Sequence, residues 1–139
     1  MTYDKPLPDP TDPLTAPFWQ GLAQHELRAQ QCQECGTFRL PAARLCPACL
    51  ARGHEWVEIQ ACGQLWSWVV YRRALAAPFA DDVPYAVGVV ALEHGLHLLS
   101  RIDAPSDRLT IGDRMTARYD DVAPGVSLLT WVPERSTRD

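Results

Sequence analysis

Cys32 and Cys35, followed after ten residues by Cys46 and Cys49, place four thiols within eighteen positions. A CxxC loop turns both of its sulfurs to one side, and two such loops together offer one ion a tetrahedral set of thiolates. Gly36 allows the first knuckle to fold back with φ > 0. The second knuckle contains Pro47 and has Leu50 where glycine is usual. Zinc is the reading this spacing favours. A rubredoxin-like single iron, a pair of redox dithiols and a site without metal are the competing ones. Beyond Leu27, Phe38, Leu40 and Leu45, residues 26–50 hold few large apolar side chains. That is too few to order the segment, whereas structural zinc supplies an apparent ~10–16 kcal/mol. Four thiolates leave no coordination position open to water, so such a site is structural and not catalytic. His54 is the one alternative ligand nearby. Cys62 lies outside the spacing and reads as a small strand-edge residue.

The chain opens Met1-Thr2-Tyr3-Asp4-Lys5, which is not a signal-peptide pattern, and has no run of about 18 apolar residues. The expectation is a soluble, cytoplasmic protein, in which clustered cysteines bind metal and do not form a disulfide framework. Five of the twelve prolines fall in the first seventeen residues, so 1–15 reads as an extended, proline-rich arm. Thr15 is the predicted N-cap of a short helix over 16–25 with Pro17 in its first turn. Phe18, Trp19, Leu22 and Ala23 share one face of it. That face either packs on its own domain or anchors in a partner's groove. The ribbon is expected over 26–53 and a barrel over 54–139. Trp56–Ile59 alternates as a strand, and strands follow at Leu65–Tyr71, Tyr85–Leu92, Leu96–Ile102, Met115–Tyr119 and Val126–Val132. No segment is long enough for a helical crossover, so the fold class is mainly β, closing as a small antiparallel barrel. Gly88 suggests a bulge or a barrel corner, and Trp66 and Trp68 read as core residues. The polar tail 134–139 reads as frayed.

The formal net charge is −4, and twelve of the thirteen bases are arginine, with no basic stripe. Phosphate neutralisation supplies most nucleic-acid affinity, so this composition disfavours a nucleic-acid partner. Trp66, Trp68 and Tyr71 as a base-stacking platform define the alternative function, a single-stranded nucleic-acid module. The nucleophile, metalloprotease, phosphate-loop and dinucleotide motifs are missing. His94 and His97 flank a glycine turn at a spacing that points strand side chains to opposite faces, against joint ligation of a metal. Asp81-Asp82 and Asp120-Asp121 read as solvated turn residues.

The order Pro17-Phe18-Trp19, Cys32-Gln33-Glu34-Cys35-Gly36, Leu40-Pro41, Cys46-Pro47-Ala48-Cys49, Trp56-Val57-Glu58, Gly63-Gln64-Leu65-Trp66-Ser67-Trp68, Pro84-Tyr85-Ala86-Val87 and Ile111-Gly112-Asp113 resembles a zinc-ribbon plus OB-fold family described as acyl-CoA-associated. The likeness runs from about Ala16 to Pro133. It implies an N-terminal helix, a rubredoxin-like zinc ribbon with structural Zn2+ on Cys32, Cys35, Cys46 and Cys49, and a C-terminal five-stranded OB-fold barrel. It further implies a non-catalytic accessory subunit of a thiolase-superfamily enzyme, with a MaoC-like hydratase as the other candidate partner and acyl-CoA at a shared site. In that reading Phe18 and Trp19 dock on the partner. Arg72 and Arg73 contact CoA phosphates, against the plainer reading of a solvated loop. No membrane partner is implied.

Overall fold

The computed structural model describes residues 5–134. The first four residues of the arm and positions 135–139 of the tail lie outside the described residues. One helix, α1 (Ala16–Ala23), precedes eight strands: β1 (Leu27–Cys32), β2 (Phe38–Arg39), β3 (His54–Ile59), β4 (Cys62–Tyr71), β5 (Tyr85–Ala91), β6 (His97–Ile102), β7 (Arg114–Ala123) and β8 (Val126–Pro133). Among the described residues no helix is long and apolar enough to cross a membrane.

Thr15 stands at the N-cap of α1 but makes no hydroxyl cap. Asp12 nucleates the helix instead, its carboxylate accepting from Leu14 N at 3.0 Å and its carbonyl from Ala16 N at 2.7 Å. The helix stops at a Schellman turn. Glu26 N donates to Gly21 O and His25 N to Leu22 O, with His25 in the left-handed region at φ 62°. This reversal points the chain into β1.

Two sheets result. The first, in the order β2-β1-β3, is antiparallel throughout and pairs Leu27 with Ile59 and Cys32 with His54. The expected boundary at residue 54 grouped His54–Ile59 with the barrel, yet this strand forms its ladder with β1 of the ribbon sheet. The second sheet is a closed five-stranded barrel, β4-β5-β6-β8-β7, with β7 returning to β4. Four of its five pairings are antiparallel as predicted. The β6–β8 pairing, Arg101 with Thr130 and Ile102 with Trp131, is parallel.

Three local expectations are corrected. Gly88 sits in a regular ladder between Trp68 and Ser100. The bulge falls instead between Leu65 and Ser67, and it turns Trp66 outward to 59% exposure. Trp68 does pack against the core. Asp120 and Asp121 lie within β7, not in a turn, because cross-strand partners satisfy their carboxylates. Asp120 accepts from Thr130 Oγ1 at 2.9 Å and Asp121 accepts from Ser127.

One core joins both sheets and the helix. Leu65, Val90, Ile102, Met115 and Trp131 fill the barrel, and Leu22, Leu27, Ala29 and Ile59 continue the same cluster into α1 and the ribbon. Outside the core, His25 stacks on Tyr119 with centroids 5.1 Å apart and reaches Asp121 at 3.0 Å. Phe38 of β2 stacks on His94, 3.8 Å away, in the Glu93–Gly95 turn of the barrel.

Candidate functional site

The two knuckles repeat one hydrogen-bond pattern fourteen positions apart. Cys32 N donates to Thr37 O and Gly36 N to Cys32 O; Cys46 N donates to Ala51 O and Leu50 N to Cys46 O. Glu34 N and Ala48 N each donate to the sulfur two residues before them, at 3.4 Å. Gly36 has φ 78° and Leu50 φ 66°. The leucine therefore adopts the left-handed turn that the first knuckle gives to glycine.

These turns bring the sulfurs of Cys32, Cys35, Cys46 and Cys49 within 4.8 Å of one another. Cys32 and Cys49 are 3.6 Å apart, Cys35 and Cys46 3.5 Å. A tetrahedral ion with 2.3 Å bonds to sulfur needs sulfurs about 3.8 Å apart, so the donor set fits zinc. None of the four forms a disulfide. Their protonation follows from the crowding. A hydrogen bond with the Thr37 hydroxyl, 3.1 Å away, is the largest of the influences that lower the Cys35 thiol to about 6. Cys32 is also lowered, first by a hydrogen bond from the Cys35 backbone. Cys49 is stabilised as thiolate by the Ala51 N–H, yet burial and the surrounding sulfurs push it up to about 12. Four thiolates share this volume only around a cation. His54 is not the fourth ligand. Its ring nitrogens face Gln30 Nε2 and the Arg52 carbonyl, both at 3.2 Å.

A second feature is a cleft of about 860 Å³ between α1, the Leu40–Ala42 loop and the barrel wall of β6, β7 and β8. Phe18, Trp19, Leu22, Leu98 and Leu128 give it apolar walls. Phe18 meets Trp19 edge to face, and both rings also pack against the chain's own core. Its polar side was not foreseen from the sequence. Asp82 binds Arg101 at 2.9 Å and Lys5 at 3.2 Å, and Arg118 binds Asp120 at 2.9 Å and also Asp103. The hydrogen bond from Arg101 holds the Asp82 carboxyl below its usual range. The signal for this cluster was an arginine at position 101 near the end of a strand, but its partner lies nineteen residues away in a loop.

Arg72 and Arg73 are exposed just after β4 and do not line the cleft. Cys62 faces Arg114 Nη2 at 3.7 Å at the start of β4, apart from the four-sulfur cluster. His94 and His97 pack on Phe38 and Trp66 respectively, so the two rings do not converge.

Comparison with known proteins fits this geometry. Residues 19–55 match the family described as ChsH2, rubredoxin-like zinc ribbon domain, and residues 56–120 that described as ChsH2, C-terminal OB-fold domain. A DUF35 domain-containing scaffold protein of Methanothermobacter thermautotrophicus is 31% identical over 104 residues, covering 73% of this chain and 77% of that protein. The 3-oxo-4,17-pregnadiene-20-carboxyl-CoA hydratase alpha subunit of Mycobacterium tuberculosis is 32% identical over 121 residues, 86% of this chain and 38% of that subunit. A probable enoyl-CoA hydratase alpha subunit of Thermomonospora curvata is 28% identical, covering 84% and 36%. The chain thus spans little more than a third of the length of these two hydratase subunits. Among solved structures, the Ltp2-ChsH2(DUF35) aldolase superposes with a TM-score of 0.81 at 25% identity, over 92% of this chain and all of the matched one. A DUF35 protein of unknown function from Sulfolobus solfataricus shares the fold, with a TM-score of 0.62 at 19% identity over 89% and 87%. With its four-cysteine zinc ribbon and closed five-stranded OB barrel, the chain belongs to the DUF35 family.

Proposed function

We propose that this chain is a non-catalytic accessory subunit of a thiolase-like, acyl-CoA-processing complex. The observation that carries the reading is the likeness, over nearly the whole chain, to the DUF35 chain of the Ltp2-ChsH2(DUF35) aldolase. The cleft supports it, since its apolar walls suit an acyl group. In this reading Cys32, Cys35, Cys46 and Cys49 hold a structural zinc that shapes the ribbon. Phe18 and Trp19, half-buried at the cleft, form the edge that meets the enzyme. The chemistry stays on the partner, for which a thiolase or aldolase is the first candidate and a hydratase the second, after the names of the relatives. Arg72 and Arg73, exposed and away from the cleft, serve CoA phosphates only where the nucleotide end leaves the cleft over the β4 end.

Nucleic-acid binding is the weaker reading. Trp66 is exposed as a stacking platform needs, but Arg101, Lys5 and Arg118 are already engaged by carboxylates and the net charge is −4.

Co-expression with candidate thiolase-like and hydratase partners, followed by size-exclusion chromatography, tests the proposal. Co-elution with one of them, lost on Phe18→Ala/Trp19→Ala while the variant keeps its fold by circular dichroism, is the expected result. Separate elution from every candidate overturns it, and a salt-dependent gel shift with single-stranded oligonucleotides favours the other reading.

A further inference from the structure

The arm reaches from one side of the large cleft to the other. Where it enters α1, Thr15 lines the cleft, and at its described start Lys5 and Pro6 line it too. There Lys5 Nζ meets Asp82 at 3.2 Å and lies 5.5 Å from the centre of the Phe79 ring. Both partners belong to the loop between β4 and β5. The Lys5 side chain is 19% exposed, although a lysine in a polar arm ordinarily extends into water.

The rest of the arm is held differently. Residues 9–15 are wound on themselves, with Thr11 N donating to Asp9 Oδ1 at 2.9 Å and Leu14 N to Asp12 Oδ1 at 3.0 Å. Pro6 and Pro8 have no N–H to donate, and Leu7 is 48% exposed. Among the described residues no backbone hydrogen bond ties 6–8 to the barrel. The grip of this stretch is therefore concentrated in Lys5. Its release leaves no buried charge unpaired. Asp82 keeps Arg101 at 2.9 Å, Arg101 lies 4.5 Å from the centre of the Tyr85 ring, and the ammonium returns to water. The cleft already measures about 860 Å³ with the arm in place, so the arm walls this space and does not fill it.

We propose that residues 5–8 are a strap that swings away from Asp82 to admit an apolar chain to the cleft and then closes over it. The prolines fix φ, so the stretch moves as one stiff piece and loses little entropy on closing. Pro6 and the aliphatic stem of Lys5 supply the closing contact, and the ammonium at Asp82 latches it. The inference rests on the reading of the cleft as an acyl site, and adds the element that retains the ligand there.

The test uses the zinc-loaded full-length chain and N-phenyl-1-naphthylamine, a neutral apolar fluorophore. The methyl resonances of Leu98 and Leu128, both in the cleft wall, report that it binds there. Its dissociation rate in stopped flow should rise about two- to fivefold in Lys5→Met, the range an ion pair of this kind supplies. Lys5→Arg, which keeps the charge, should stay near the parent. Lys5 is the only lysine of the chain, so acetylation read by mass spectrometry, relative to free Nα-acetyl-lysine, follows the latch independently. Saturation with the fluorophore should slow it about two- to fivefold, because closure over the ligand removes the open form. A bound fluorophore whose dissociation is unchanged in Lys5→Met, or acetylation that saturation leaves unchanged or accelerates, would overturn the strap and leave the acyl reading of the cleft standing. Failure of both parent and Lys5→Met to bind the fluorophore at the Leu98 and Leu128 methyls would overturn that reading and the strap with it.

Discussion

Treating the zinc-loaded protein with a high-affinity chelator at neutral pH removes the cation on which the four sulfurs converge. Protons then return to the cluster, first to Cys49, whose thiol burial and the neighbouring sulfurs push up. The response of each stretch of chain to this loss depends on its own anchoring. Within 33–53 the fully buried side chains are only Arg39 and Cys46, with Phe38 and Leu40 half-covered. Those two contribute roughly 2–3 kcal/mol between them at ordinary burial values, against an apparent ~10–16 kcal/mol from a structural zinc. The flanks differ. Leu22 (2% exposed), Leu27 (0%) and Ile59 (5%) belong to the barrel's own core cluster and contribute about 5–9 kcal/mol together.

Metal removal should therefore release the knuckles and spare the β1–β3 ladder. Native-state hydrogen exchange reads this directly. The amides of Gly36, Cys46 and Leu50, which close the knuckle turns, should exchange roughly a thousandfold faster or more, equivalent to about 4 kcal/mol of lost protection. The amides of the Leu27–Ile59 and Ala29–Val57 pairs should stay within about tenfold of their zinc-loaded rates. Opening of that ladder together with the knuckles would refute the reasoning, because it would make the metal part of the main core. Unchanged knuckle amides would refute it from the other side.

Leu50→Gly relieves a left-handed leucine at φ 66°, and with strain of ~1–2 kcal/mol set against the entropy of glycine it should gain about 0.5–1 kcal/mol, measured as a higher chelator concentration for half-release of metal. Gly63→Ala would place its Cβ 2.0 Å from the Ala91 carbonyl oxygen, a backbone atom of the paired strand, and should cost about 3 kcal/mol or more in urea unfolding. Gly88→Ala, whose nearest contact is the movable Ile102 Cδ1 at 2.4 Å, should cost less. For Asp82, the folded pKa is depressed by Arg101 and then Lys5. Its contribution is therefore complete above the ordinary carboxylate range and vanishes as pH falls through the folded value. Asp82→Asn should lower Tm by an amount equivalent to about 1 kcal/mol or less above roughly pH 5, with the gap to the parent closing in more acidic buffer.

The metal cluster was legible because its four ligands lie within eighteen residues and the turn chemistry around them is local. Most strands were legible for a similar reason, since alternation in Tyr85–Ala91, buried at every second position, is written along one segment. What escaped depends on partners distant in sequence. Two adjacent aspartates resemble a turn until Thr130 and Ser127 meet them across the hairpin and His25 meets them from the helix end. The apolar run Leu65–Tyr71 does not reveal that a bulge after Leu65 rotates Trp66 to solvent. Gly88 suggested a bulge or a corner, but it lies in a regular ladder, and the space its missing side chain leaves is taken by Ile102 Cδ1. The cleft was unreadable because its walls come from the arm, helix and ribbon on one side and from segments far along the chain on the other.

That placement links the two sites physically. Leu40, Pro41 and Ala42 form one wall of the large cleft, and they lie on the loop between the two cysteine pairs, the stretch with the least apolar anchoring. The opposing walls, α1 and strands β6 and β8, are fixed by Leu22, Ile102, Leu129 and Trp131 in the common core. Zinc therefore acts on the cleft through one side only. It holds a weakly anchored wall at a set distance from a rigid one, without touching anything bound between them. A chain that lost the metal would keep its barrel and helix, and with them Phe18 and Trp19. It would lose the defined width of the cleft. The thiolate cluster is in this sense a geometric part of the cleft, although its coordination shell, closed by four sulfurs, offers nothing to a ligand.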